Sequence, residues 1–124
     1  MSILSAFNNH MDEFLTDILV VFPKDVELKR GATAIRTLMK FNPKLCINVW
    51  KECVLEPYKS QIEAGDTEFF ISKDYKIDVE GGEYESVLSS IDRLRQPIRE
   101  MGEENQKKAL KYIQNLSKLS ELYN

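Results

Sequence analysis

The sequence contains few of the residues and motifs from which catalytic and metal chemistry is usually built. It holds one histidine and two cysteines in 124 residues. His10 is joined to no serine or cysteine nucleophile by a recognisable motif, so a structural or surface role is expected of it rather than general-base work. Cys46 and Cys53 are seven positions apart, which on a regular helix separates their Cα atoms by about 10 Å. That exceeds disulfide reach, and two buried free thiols in a reducing compartment are expected. The spacing of His10, Cys46 and Cys53 does not encode a zinc site, and no metal or cofactor is expected. Gly65-Asp66 and Gly81-Gly82 are separate turn signals, neither of which forms a phosphate-binding glycine loop. There is no stretch of about twenty predominantly apolar residues, so no membrane helix is expected. No basic segment precedes the first apolar run, which disfavours a signal peptide.

What the chain does have is ordinary globular material. Apolar residues make up 43% and charged residues 30%, enough to build a core and against wholesale disorder. The length suits one domain spanning residues 1–124. Seventeen basic and twenty acidic residues give a net charge of -3, so there is no global attraction to nucleic acid or to an anionic membrane. Residues 63 to 85 contain two bases and eight acids, whereas residues 1 to 62 contain eight and seven. The acidity is therefore concentrated in a connector after Ile62. Asp66, Glu68, Asp74, Asp78 and Glu80 lack the calcium-loop order and read as solvated carboxylates.

Helical periodicity dominates the remainder. Ile3, Leu4, Phe7, Met11, Phe14, Leu15, Ile18, Leu19 and Phe22 recur at spacings of three and four, which predicts a core-facing helix over 3–22 capped by Ser2 or Ser5. Val26, Leu28, Ala32, Ile35, Leu38 and Met39 form a weaker pattern interrupted by Gly31, which costs about 1 kcal/mol relative to alanine in a helix interior, so a second helix either starts near residue 31 or passes through a close helix contact there, with its firm part from Thr33 to Lys40. Asn42-Pro43 reads as cap and first turn of a third helix, whose buried face is Leu45, Cys46, Val49, Trp50, Cys53 and Val54. Pro57 should end or kink it. Asp66 is a plausible cap for a one-turn segment carrying Phe69 and Phe70, and residues 72 to 85 read as an extended loop. Helical periodicity returns from Tyr84 to Met101 and again from Gly102 or Asn105, with Ala109, Tyr112, Ile113, Leu116, Leu119 and Leu122 as the final stripe. The expected fold is all-α, a compact bundle of about five helices with an irregular aromatic and acidic connector in the middle.

Two surfaces emerge as candidates for function. Trp50, Tyr58, Phe69 and Phe70 gather around the centre of the chain, either as internal anchors or as a partner surface. Arg95, Arg99, Lys107, Lys108 and Lys111 could form a basic C-terminal patch for phosphate contacts. Asp92, Glu100, Glu103 and Glu104 are interspersed with them and weaken that alternative.

The combination NPKLCINVWKECVLEPY, GDTEFF and SKDY, together with FNNHMDEFLTDILVVFP near the start, resembles a small uncharacterised protein group of large DNA viruses of algae and protists. The resemblance covers roughly the first 75 residues. It implies a viral protein in an infected eukaryotic cell, located in the virion or the host cytoplasm, and it supplies no catalytic residues. The combined expectation is a non-enzymatic interaction or virion-associated structural protein that binds a protein partner or self-associates as a homo-oligomer. The alternative is a nucleic-acid-associated regulatory protein.

Overall fold

Ser2 begins the first helix by accepting a hydrogen bond from the Ser5 amide at 3.1 Å, which satisfies one of the donors that a helix start leaves open. From there the computed structural model describes residues 2–66, 69, 93, 94 and 97–123. Helix α1 runs Ile3–Val21 and buries Phe7, Met11, Phe14, Leu15 and Ile18, the predicted stripe. It ends where the Phe22 amide reaches the Ile18 carbonyl and Pro23 prevents continuation.

Helix α2, Val26–Phe41, passes through Gly31 and starts seven residues before Thr33. The Asp25 carboxylate accepts from the Leu28 amide at 3.0 Å, and Glu27 lies in the first turn, where the helix dipole favours an anion. Burial of Leu28, Ala32 and Ile35 offsets the conformational cost of Gly31, which is itself buried. Asn42 also differs from expectation. It closes α2, donating its amide to the Leu38 carbonyl at 2.8 Å, and does not cap α3. Pro43 and Lys44 form the turn, and the Asn8 side chain donates to the Pro43 carbonyl at 3.0 Å.

The next three elements form one continuous rod: α3 at Leu45–Val49, a π-helical turn at Trp50–Leu55 and α4 at Glu56–Ala64. Pro57 accounts for the widened turn. A proline ring crowds the carbonyl four residues back and brings no amide, so an ordinary α-turn over Cys53 is disfavoured. The chain responds by bonding the Glu56 amide to the Lys51 carbonyl, five residues away, and by kinking at Tyr58, whose φ of -125° and ψ of 22° are non-helical. The wide turn keeps Trp50, Cys53, Val54 and Leu55 all buried. Gly65 ends α4 with φ +71°, and the Asp66 amide returns to the Gln61 carbonyl at 3.1 Å. Glycine is needed there because the left-handed region is strained for other residues.

Residues 97–100 are helical, and Gly102 begins helix α5, Glu103–Leu122. Helix α5 runs antiparallel to α1: residues 115–119 lie beside 6–13, and residues 101–112 beside 14–21. Phe7, Leu15, Leu28, Ile35, Ile47, Val49 and Leu116 close the centre of an all-helical bundle. Among the described residues there is no strand. The expected loop over 72–85 and the helix start at Tyr84 lie outside the described residues.

Candidate interaction surface

Trp50 is 4% exposed and lies edge-on to Phe7, with ring centroids 6.1 Å apart. Its indole N–H donates to Ser117 Oγ at 2.9 Å, and that hydroxyl donates to the Ile113 carbonyl at 2.8 Å. Trp50 therefore takes the internal of the two roles open to it. A fully packed indole with a satisfied N–H acts as a core anchor, in keeping with the place of Trp50 in the predicted buried face.

Tyr58 and Phe69 are half-buried and pack together with centroids 5.1 Å apart. Asp66 positions Phe69, its carboxylate accepting from the Phe69 amide at 3.1 Å, as the capping pattern suggested. Phe70 lies outside the described residues.

The C-terminal end is tied to the rod. Lys51 Nζ donates to the Tyr123 carbonyl at 2.7 Å, and Lys59 pairs with Glu121 at 3.0 Å. Arg99, Lys107, Lys108 and Lys111 are exposed, and Arg95 lies outside the described residues. Gln106 Nε2 donates to the Ile98 and Arg99 carbonyls at 3.2 and 3.1 Å, holding the turn before α5 against its first helical turns. Glu103 and Glu104 occupy the same turn, and Glu103 is 3.9 Å from Lys107. The result is a mixed-charge surface, with acids set among the bases.

The feature that sequence reasoning missed is the seam between α1 and α5. Tyr112 stacks on Phe14 with centroids 4.9 Å apart and planes at 15°, and lies 4.8 Å from the ring of His10. Its hydroxyl donates to Asp17 Oδ2. That hydrogen bond, followed by burial and the negative charges of Asp17 and Glu13, pushes the Tyr112 phenol up to about 12. Glu13 approaches His10 Nδ1 at 3.6 Å, while His10 Nε2 is enclosed without a hydrogen-bond partner among the described residues. Tyr112 divides the seam into two shallow grooves. One has a volume of about 470 Å³ between His10, Glu13, Asn115 and Lys118; the other, about 270 Å³, lies between Asp17, Val20, Lys108 and Tyr112.

Several large apolar side chains remain in the open, two of them at this seam. Val20 is 73% exposed at its edge, with Val21 beside it and Val26 at the start of α2. Phe41 is also exposed, at the end of α2. Cys46 and Cys53 are both buried, and burial pushes the Cys46 thiol up to about 11, which leaves little nucleophilic thiolate at neutral pH. Among the described residues no three histidine, cysteine or carboxylate side chains gather as a metal site, and no helix is long and apolar enough to cross a membrane. No family model, curated protein or solved structure matches this chain.

Proposed function

We propose that the protein is a non-enzymatic interaction module, a small helical scaffold that assembles with a protein partner or with itself. The observation that carries this reading is that Val20 and Val21, at the end of α1, and Val26, at the start of α2, remain exposed although Phe7, Met11, Phe14, Leu15 and Ile18 of α1 are buried. Large apolar side chains left in water cost solvation unless a partner covers them. The half-buried Tyr58 and Phe69 pair provides a second apolar edge on the central segment. The setting is an infected eukaryotic cell, with the protein in the virion or the host cytoplasm, as the resemblance of the first 75 residues implies. The nucleic-acid alternative has less support, because Glu103 and Glu104 share a turn with Lys107 and lower the local positive potential.

Chemical crosslinking combined with size-distribution measurement tests the reading. Assemblies are expected with the native chain, and Val20→Lys should reduce them without lowering the melting temperature. A monomer over a broad concentration range, with no partner recovered from infected material, would overturn it.

A further inference from the structure

We infer that the α1/α5 seam is a self-recognition surface, on which a second copy of the chain docks about a two-fold axis running along the seam. This rests on the interaction-module reading and names both the surface and the partner. The two banks of the seam carry opposite charge. Glu13 and Asp17 are exposed on the α1 bank, and Lys108 and Lys118 are exposed on the α5 bank. Neither lysine forms an ion pair among the described residues.

The order of these charges selects the symmetry. Glu13 and Lys118 border the same groove, and Asp17 and Lys108 border the next, so acid and base lie at matching heights on opposite banks. Rotation by half a turn about the seam direction exchanges the banks but preserves height. The α1 of one copy then lies over the α5 of the other, bringing Glu13 to the partner's Lys118 and Asp17 to the partner's Lys108. A two-fold axis across the seam would instead place α1 on α1 and set carboxylates against carboxylates. The interface is therefore isologous and complementary in only the first arrangement. Val20 of each copy comes to lie over the end of the other copy's seam near Ala109, which covers a side chain otherwise left in water.

The footprint is adequate for such a contact. Two helices of 19 and 20 residues present a face roughly 28–30 Å long and about 20 Å wide, or ~600 Å² per copy. The total of ~1,200 Å² lies at the lower limit of specific interfaces, so a weak dimer is expected, weakening further as salt rises.

Sedimentation equilibrium on the full chain and on the variants E13K and K118E tests the inference. Both positions are exposed, so melting temperatures should stay near that of the native chain. The native chain is expected to dimerise, and each variant alone to dimerise about tenfold or more weakly, because each substitution turns two attractive pairs into repulsive ones. An equimolar mixture of the two variants should recover near-native association. Within either variant the two positions carry like charge, so recovery can arise only between chains. A native chain that stays monomeric at about 200 μM would overturn the self-docking seam. If Val20-dependent capture of another protein persisted in that case, the broader interaction reading would stand. A native dimer unaffected by either variant, or a mixture that fails to recover association, would place dimerisation on another face and likewise overturn the inference.

Discussion

Replacing Ser117 by alanine should destabilise the fold through Trp50, a residue 67 positions away. The hydroxyl accepts the indole N–H in a site where Trp50 is buried and Ser117 nearly inaccessible. Removing it leaves a buried donor unpaired, at a cost of about 1–3 kcal/mol. Alanine returns roughly 0.5 kcal/mol through its better helix propensity. The lost bond to the Ile113 carbonyl matters little, because that oxygen lies within α5 and serves the helix ladder. The net expectation is about 1–2 kcal/mol. With an unfolding entropy of about 2.1 cal/mol/K per residue, a chain of this length should lose roughly 4–8 °C in melting temperature. Trp50 is the only tryptophan, so its fluorescence during urea unfolding reports on the site directly. The sharper assay is a double-mutant cycle with Trp50→Phe, followed by circular dichroism. With no donor to orphan, Ser117→Ala should then cost under about 0.5 kcal/mol. An equal cost in both backgrounds would refute the reasoning, since the loss would not pass through the indole.

Two further perturbations test other links. Tyr112 has a folded pKa of about 12, above the unfolded phenol near 10, so its contribution to stability is complete below pH ~10 and is lost as pH rises from there to about 12. Phenolate absorbance of the native chain minus that of Tyr112→Phe should therefore show a late-titrating component, and a difference centred at pH ~10 would contradict the Asp17 hydrogen bond. At Gly65, an added Cβ would meet Leu110 and Gln114 at ordinary distances of 3.7 and 3.8 Å, so the cost of Gly65→Ala is the left-handed backbone alone, about 1–2 kcal/mol. Gly65→Asn should cost less in denaturant midpoint, and an asparagine variant no more stable than the alanine one would show that the backbone is not the cause.

The buried stripes were legible because helix packing repeats every three to four residues, and a side chain's own neighbours announce its face. This holds for Phe7 to Ile18 and for Leu45 to Val54. Local signals misled where two elements compete for one residue. Asn42 before Pro43 reads as a helix start, yet its amide closes the preceding helix. Gly31 leaves open a start or a passage through a close contact, and the capped first turn and buried neighbours select the second by outweighing one residue's conformational cost. Pro57 showed that the helix must change course. It did not show how, since a kink, an end and a widened turn all relieve the same clash. The π-turn was selected by the need to keep both Trp50 and Leu55 inside, a tertiary demand absent from the local pattern.

The seam was opaque for a related reason. Glu13 and Asp17 on α1, taken alone, read as a solvated face, and so do Lys108 and Lys118 on α5. Nothing in either stretch points to the other, because Asp17 and Tyr112 are separated by 95 residues. Antiparallel pairing of the two helices converts two unremarkable charge distributions into an acidic bank facing outward beside a basic one. Within one chain these charges are not paired across the seam among the described residues, because Asp17 accepts from Tyr112 and the exposed Lys108 and Lys118 form no ion pair there. The same polarity becomes complementary once a rotated copy is laid over it, so the specificity of the proposed contact arises from the order in which the fold stacks its helices.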